Sequence, residues 1–337
     1  MHVRCLGESR VHKVLNNSVL ITGGAGFIGS HLVDAFLARG ESVTVLDDLS
    51  TGSAKNLEHL KSSEGLKIVE GSILDESLVD SLVAQSNGCL HMAAAVGVKK
   101  ILDDPIGSLK TNINGSENVL LSSLKHKKRV LIASTSEIYG KNSSEVLKED
   151  SDRVLGSPLL SRWTYSEAKA IEEAIAYHLH KTKGLDLRIV RLFNTVGPRQ
   201  SAAYGMVIPK FFDAVIHGKE IEIHGDGTQR RVFCHVADAV SGILSIWDSS
   251  KANGEAFNVG GKEEVSILKL AEAVMNVLNK ATPIKFTPYE ELRQRGFEDM
   301  QRRVPSTEKL HRVTGWEAKR GLQEILADYK SYVMESK

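Results

Sequence analysis

Val19-Leu20-Ile21-Thr22-Gly23-Gly24-Ala25-Gly26-Phe27-Ile28-Gly29 reads as a short apolar strand followed by a glycine-rich turn, and a helical pattern continues from Ser30 to Arg39. Small residues in such a turn let the backbone approach a pyrophosphate, and the N–H groups at the start of the helix point toward its negative charge. The helix dipole adds a favourable field. The stretch predicts a dinucleotide site with contacts at Gly23, Gly26, Phe27, Ile28 and Gly29.

Asp47 ends the next predicted strand, Val43-Thr44-Val45-Leu46, about 20 residues beyond the glycine turn. An acidic residue at this place accepts hydrogen bonds from ribose hydroxyls and repels a 2′-phosphate, which favours NAD over NADP as the cofactor. Asp48 follows directly and is included in the predicted cofactor site. A turn or a helix cap is the alternative interpretation of the two carboxylates.

Further apolar runs alternate with helical patterns along the chain, at Lys67–Val69, Cys89–Met92, Arg129–Ala133 and Leu187–Arg191, and Phe257–Gly260 is predicted to return to the same sheet. This alternation predicts the α/β class, as a Rossmann-type doubly wound parallel sheet with a smaller C-terminal α/β substrate lobe. We predict an NAD-binding domain over residues 14–192, to which 230–260 return, and a substrate-binding lobe built from 193–229 and 261–337.

The composition argues against several classes of partner. A net charge of +1 over 337 residues gives no global attraction to nucleic acid or to a membrane surface. Cys5, Cys89 and Cys234 are widely spaced and form no Cys-x-x-Cys pair, which favours a reducing, cytoplasmic location over a disulfide framework. The basic segment Met1–Asn17 has no long apolar stretch, and His and acidic residues show no metal-ligand spacing. We therefore predict no membrane span and no metal.

A second group of residues predicts the chemistry. Tyr165 and Lys169 are four residues apart, so both side chains lie on one helical face, where an ammonium can stabilise a phenolate. Tyr165 is thus a candidate general base, although an exposed helical pair is the alternative interpretation. Thr135-Ser136-Glu137 follows the apolar run Leu131–Ser134, so these three residues are expected where a buried strand opens into a cleft.

Together these residues resemble the extended short-chain dehydrogenase/reductase family, the NAD-dependent epimerase/dehydratases of nucleotide sugars. The resemblance runs from about Val19 to about Tyr332 and, within the family, is greatest to UDP-glucuronate decarboxylases. It includes His91-Met92-Ala93-Ala94, Thr111-Asn112-Ile113-Asn114-Gly115, Arg191-Leu192-Phe193-Asn194, Gly225-Asp226-Gly227-Thr228-Gln229-Arg230-Arg231, Gly296-Phe297-Glu298-Asp299-Met300-Gln301-Arg302-Arg303-Val304-Pro305 and Gly315-Trp316-Glu317.

The resemblance implies roles for individual residues. Thr135 would complete a Thr-Tyr-Lys triad and hydrogen-bond the sugar hydroxyl, while Lys169 would also hold the nicotinamide ribose. Backbone near Val207 would read the base. Asn194 and Arg231 would contact the nucleotide diphosphate, since guanidinium groups match phosphate oxygens. Further cofactor contacts are implied at Ser72, Ile73, Ala93 and Asn112, although Ser72 lacks the carboxylate that the family often has at the adenine edge.

The implied activity is decarboxylation of UDP-glucuronate to UDP-xylose through a 4-keto intermediate, with NAD as a catalytic cofactor. Ser136 replaces the acid typical of 4,6-dehydratases, which makes that activity less expected, and Glu137 is expected to organise a proton at C5 and to disfavour the substrate carboxylate. Arg303 resembles an arginine that holds this carboxylate. The alternatives are a UDP-sugar 4-epimerase, on UDP-glucose or UDP-glucuronate, and a non-catalytic nucleotide-binding protein.

The family resemblance also implies a homodimer, formed through helices at about Ser108–Lys125 and Ser166–Thr182. Within the second helix, Ala168, Ile171, Ile175 and Leu179 recur at spacings of three and four, which predicts one apolar face. That face would pack against the core or against a second subunit.

Overall fold

The computed structural model describes residues 17–97, 104–201, 206–293 and 300–335. Seven parallel strands form the main sheet: β1 (Ser18–Thr22), β2 (Ser42–Asp47), β3 (Leu66–Glu70), β4 (Gly88–His91), β5 (Arg129–Thr135), β6 (Leu187–Leu192) and β11 (Glu255–Val259). Their order across the sheet is β11-β6-β5-β4-β1-β2-β3. The predicted doubly wound parallel sheet is confirmed.

Two layers of helices cover this sheet. Apolar residues of β1 are almost completely buried, as continuous apolar runs in a doubly covered sheet should be. The helices, in chain order, are Phe27–Ala38, Glu76–Ala84, Pro105–Lys110, Ser116–Lys125, Thr164–Lys183, Val207–Ile216, Val236–Asp248, Ile267–Leu278, Tyr289–Arg293, Glu308–Thr314 and Leu322–Glu335, with a π-helical turn over Thr111–Gly115. In the part of the chain described, no helix combines the length and apolar character needed to cross a bilayer.

The order of the strands reverses next to β1, which pairs with β2 on one side and with β4 on the other. At such a reversal the connections diverge to opposite faces of the sheet and leave a crevice beyond the carboxyl ends of the strands. The glycine turn after β1 and the residues after β4 therefore face the same crevice. The order of the strands therefore indicates a binding site in this crevice.

A second lobe lies on one side of this crevice. Its own apolar core includes Phe211, Phe212 and Tyr329. The strands of this lobe are β7 (Thr195–Val196), β8 (Ile221–His224), β9 (Arg230–Val232), β10 (Cys234–His235), β12 (Glu264–Ser266), β13 (Ile284–Thr287) and β14 (Arg302–Arg303). They form the small sheets β10-β7, β12-β9-β14 and β13-β8.

Residues 230–260 divide between the two parts of the molecule. β11 pairs in parallel with β6 and so joins the main sheet, as predicted for Phe257 and its neighbours. β9 instead pairs with β12 and β14. The expected domain start at residue 14 falls outside the described residues.

The Tyr165 helix, Thr164–Lys183, packs most of its predicted apolar face against the core, with one exception. Ala168 is buried, and Ile175 and Leu179 pack against the core, but Ile171 is 44% exposed. Polar residues occupy much of the inward face, because Lys169 and Glu172 are buried there. The helix thus buries apolar and polar residues side by side, and Ile171 lies at the solvent edge of its apolar face.

Candidate active site

A cavity of about 850 Å³ lies at the carboxyl ends of the main strands and extends toward the second lobe. Many of the predicted site residues line it: Gly23, Gly26, Phe27, Ile28, Gly29, Asp47, Asp48, Ile73, Ala93, Thr135, Ser136, Glu137, Tyr165, Asn194 and Arg303. Other predicted residues, namely Ser72, Asn112, Lys169, Val207 and Arg231, lie behind or beside its wall. One crevice thus brings the two groups of sequence motifs together.

The glycine turn is tight enough to require glycine. Gly23 has a φ of +69°, and a Cβ there would lie 2.6 Å from the Ala93 backbone nitrogen. A Cβ on Gly29 would lie 2.1 Å from the Gly23 carbonyl oxygen. Helix Phe27–Ala38 starts at Gly26 without a side-chain cap and without an acidic residue in its first turn. Its first N–H groups are therefore available to an anion.

Asp47 is buried at the end of β2, in the wall of the cavity. Its Oδ2 accepts a hydrogen bond from the Ala25 N–H and its Oδ1 accepts one from the Leu49 N–H, each at 2.9 Å. Burial raises the pKa of Asp47, while these two backbone donors oppose that effect. A carboxylate can accept about four hydrogen bonds, so both oxygens retain capacity for ribose hydroxyls.

Thr135 lies at the point where β5 gives way to a short 3₁₀ helix, Ser136–Tyr139. Its hydroxyl accepts a hydrogen bond from the Glu137 N–H at 3.2 Å and so caps that helix. The Ser166 hydroxyl donates to the Glu137 carbonyl oxygen at 2.8 Å. This bond ties the Tyr165 helix to the turn, so Thr135 and Tyr165 are held on the same side of the cavity.

The environment of Tyr165 differs from the expectation that an ammonium lowers its pKa. Burial raises the pKa of Tyr165, and the nearby carboxylates of Glu172 and Glu137 raise it further. Lys169 is 1% exposed, and its Nζ lies 2.7 Å from the Glu172 Oε2. The ammonium charge is therefore already matched by a carboxylate, which explains why Tyr165 gains little from it here.

Glu137 and Arg303 form an ion pair inside the cavity. The same guanidinium donates through Nη2 to the Asn194 Oδ1 at 2.7 Å, and the Asn194 Nδ2 donates to the Val232 carbonyl at 2.7 Å. Asn194 has a φ of +30°, a conformation that asparagine adopts more readily than most residues. Asn194 is thus fixed at its backbone and side chain, and it orients Arg303.

Two of the expected cofactor residues lie outside the cavity wall for reasons visible in their hydrogen bonds. Asn112 is buried in the π-helical turn, where its amide bonds both the N–H and the carbonyl of Ala95, at 2.7 and 3.0 Å. It thereby fixes a loop that does line the cavity. Ser72 uses its hydroxyl to accept from the Leu74 N–H at 3.2 Å.

Two of the expected substrate residues are also displaced from the wall. Val207 packs into the core of the second lobe, while its neighbour Met206 lines the cavity. Arg231 is 4% exposed, and its guanidinium donates to the Arg230 carbonyl at 2.8 Å. Arg303, which the resemblance predicts to hold the substrate carboxylate, lines the cavity, and Arg231 lies beside it on the paired strand β9.

Several residues that line the cavity were not predicted from the sequence. Arg199 and Gln200 follow β7, and Tyr332 reaches the cavity from the last helix. Arg199 has a φ of +69° and pairs with Asp34 at 2.8 Å. Arg199 and Gln200 lie in the loop after the predicted strand Leu187–Arg191, at the edge of the sheet where ligands bind. That position could have identified them as site residues from the sequence. No local pattern marks Tyr332, and Gly296–Asp299 of the late motif lies outside the described residues.

The chain is similar in sequence to known proteins over most of its length. The sequence profile of the GDP-mannose 4,6 dehydratase family matches residues 20–329. The UDP-N-acetyl-alpha-D-glucosaminuronate decarboxylase of Bacillus cytotoxicus is 38% identical, over 91% of this chain and 96% of that protein. UDP-glucuronic acid decarboxylase 1 of Danio rerio is 33% identical, over 91% of this chain and 70% of that protein.

Solved structures give the same grouping. The dTDP-glucose 4,6-dehydratase DesIV of Streptomyces venezuelae, solved with NAD bound, superposes with a TM-score of 0.85 at 28% identity, over 94% of this chain and 97% of that one. Its similarity extends across both the main sheet and the second lobe, as does the profile match. The chain therefore belongs to the GDP-mannose 4,6 dehydratase family of extended short-chain dehydrogenase/reductases.

Proposed function

We propose that this chain is an NAD-dependent decarboxylase of UDP-hexuronates that works by transient oxidation at C4, with UDP-glucuronate converted to UDP-xylose. The observation that carries the proposal is the position of a largely buried Glu137–Arg303 pair in the same cavity as Thr135 and Tyr165. A C4-oxidising site beside a carboxylate-binding cation suits a uronate. The two decarboxylases among the relatives support it.

The residues present fit NAD. The close-packed glycine turn, the uncapped start of helix Phe27–Ala38 and the Asp47 carboxylate supply a cradle, N–H donors and a ribose acceptor along one wall. Bound NAD would supply a hydride acceptor at C4 and return the hydride after decarboxylation, so that it is not consumed.

Tyr165 and Thr135 act on the C4 hydroxyl. Tyr165 takes its proton as the C4 hydrogen leaves, and Thr135 orients the hydroxyl by a hydrogen bond. The ketone at C4 is then β to the C6 carboxylate, so the C5–C6 bond breaks with loss of carbon dioxide, and its electron pair is delocalised onto the C4 oxygen. Tyr165 and Thr135 face that oxygen and stabilise its charge. A proton added at C5, the hydride returned to C4 and the proton returned from Tyr165 to the C4 oxygen complete UDP-xylose.

Arg303 and Glu137 act on the other side of the sugar. Arg303 holds the C6 carboxylate, for which it must exchange part of its contact with Glu137. Glu137 opposes the carboxylate by like-charge repulsion and positions the proton for C5. Ser136, 2% exposed beside them, offers a hydroxyl where a dehydratase needs an acid.

UDP-N-acetylglucosaminuronate is a second candidate substrate, favoured by the 38% identity to a decarboxylase of that name. The purified chain, given each uronate with NAD, should release carbon dioxide and form the corresponding pentose nucleotide. Chromatography of the products then ranks the substrates. UDP-galacturonate formed without carbon dioxide would instead establish a 4-epimerase and refute the decarboxylase proposal.

Asp47→Asn should weaken NAD binding by about tenfold, because a charged acceptor contributes more to a hydrogen bond than an amide does. The preference for NAD over NADP should narrow at the same time, since the repulsion of a 2′-phosphate is lost. Calorimetry with both cofactors measures the two effects. Glu70→Gln is the matched control, because Glu70 is exposed at the end of the neighbouring strand β3. Equal losses in both variants would contradict the assignment of Asp47.

We also propose a homodimer and a cytoplasmic location. Leu121, Ile171 and Tyr177 are between 41% and 46% exposed on the two helices where an interface is expected, which supports the dimer. Light scattering should give twice the chain mass, and Ile171→Asp should shift it to the monomer mass without loss of helical circular dichroism. A monomeric parent chain would remove this proposal. Buried free thiols at Cys89 and Cys234 are compatible with a reducing compartment, which cell fractionation tests.

A further inference from the structure

Glu172 is a buried carboxylate on the helix that carries Tyr165 and Lys169. Tyr165, Lys169 and Glu172 are spaced i, i+4 and i+7, so they occupy one face of helix Thr164–Lys183. The side chains of Lys169 and Glu172 are 1% and 0% exposed, and their charged atoms are 2.7 Å apart. A buried ion pair costs desolvation energy that its Coulomb attraction often only offsets, so its retention calls for an explanation other than stability.

The surroundings of Glu172 keep it coupled to the site. Burial raises the pKa of Glu172, while Lys169 and the Ser116 hydroxyl oppose that effect. Ser116 also lies 2.9 Å from the Nε2 of His91, whose Nδ1 is 2.7 Å from the Thr22 hydroxyl. Burial lowers the pKa of His91 to about 3, so this ring is neutral near pH 7. Glu172, Ser116, His91 and Thr22 thus form a continuous row of buried polar groups, the polar floor, which extends from the Tyr165 helix to the end of β1.

We propose that Glu172 is a positioning residue, which holds the Lys169 ammonium in the floor of the cavity and offsets its charge as seen by Tyr165. The inference rests on the proposed function and on the contact between Lys169 and the nicotinamide ribose that the family resemblance implies. Lys169 would then be shared between that ribose and Glu172. Glu172 would set both the reach of Lys169 and the pH range over which Tyr165 serves as a base.

The other charged groups around the pair are matched elsewhere. Glu137, beyond β5, pairs with Arg303. Glu173, on the same helix, pairs with Arg191 of β6 at 2.7 Å. The remaining neighbours are neutral or distant from the floor: His91 from β4, Asn112 from the π-helical turn, Ser116 from the next helix, and, from helix Pro105–Lys110, buried Ser108 and exposed Lys110. A change of charge at Glu172 is therefore felt chiefly by Lys169 and Tyr165.

Glu172→Gln tests the charge. Loss of the negative charge lowers the pKa of Tyr165, so the base becomes available at lower pH, and the acid limb of kcat/KM should move down by about one pH unit. Glu172→Asp keeps the charge but is one methylene shorter. Its acid limb should stay in place, while the Kd for NAD rises several-fold because Lys169 is held less well.

A second measurement does not use turnover. Calorimetry of NAD binding in two buffers of different ionisation enthalpy gives the protons released, and the midpoint of that release against pH should also fall by about one unit in Glu172→Gln. Adding Tyr165→Phe should abolish the release. Glu117→Gln, an exposed acid on helix Ser116–Lys125, is the control and should match the parent.

The outcomes separate this inference from the proposed function. If the parent chain binds no NAD, the proposed function fails. If the parent binds NAD with proton release, but Glu172→Gln has the parent's midpoint and acid limb, only the role of Glu172 is overturned. Should Glu172→Gln not fold, Glu172→Asp decides the matter, since an unchanged Kd for NAD would rule out positioning.

Discussion

Tyr165→Phe is expected to lower kcat by about 10³-fold, since a positioned general base contributes about 10² to 10⁴. The variant removes one oxygen from a side chain that faces the cavity, and the aromatic ring still fills its place. Binding of NAD and of the UDP-sugar should therefore change by about threefold or less. Single-turnover kinetics with calorimetry of each ligand separates the two effects.

Tyr177→Phe is the matched control for this experiment. Tyr177 lies on the same helix but is 41% exposed on the side away from the cavity. Its loss of a hydroxyl should leave kcat unchanged. If Tyr165→Phe turned over at the parent rate, another residue would be the base, and the roles given to Thr135 and Lys169 would need revision as well.

Arg303→Met should produce the second large effect, and its signature should depend on the substrate. Losing one partner of a buried charged pair typically costs about 2–5 kcal/mol, so kcat/KM for UDP-glucuronate should fall by about 30-fold or more. UDP-glucose lacks the carboxylate, so its affinity should fall much less. Competition of the two nucleotides for the same site, followed by calorimetry, measures this difference.

Two further variants separate the role of Arg303 from damage to the site. Arg302→Met changes the adjacent residue, which is 36% exposed at its side chain and pairs with Glu264, so activity should be retained. Glu137→Gln combined with Arg303→Met removes the carboxylate that Arg303→Met would leave unpaired. If the double variant recovered full affinity for UDP-glucuronate, Arg303 would serve only to neutralise Glu137, and its contact with the substrate would be refuted.

The sequence predicted the site best where a function depends on neighbouring residues. Strand-turn-helix spacing located the glycine turn, and the end of a predicted strand located Asp47 and Thr135. It predicted worse where burial of polar groups overrides an apolar pattern. Ile171 belongs to the apolar spacing of its helix yet is 44% exposed, whereas Lys169 and Glu172 of the same helix are buried.

What the sequence determined by itself was the fold class, the glycine cradle and the Tyr165–Lys169 pair, because each follows from the geometry of a single strand, turn or helix. Only the tertiary structure decided that Arg231 lies beside the cavity wall and not on it, and that Arg303 pairs with Glu137, 166 residues away. That pairing depends on β14 lying beside β9 and on the position of the second lobe at one side of the crevice. Contacts across such distances arise from the packing of whole elements, and no local pattern in the chain encodes them.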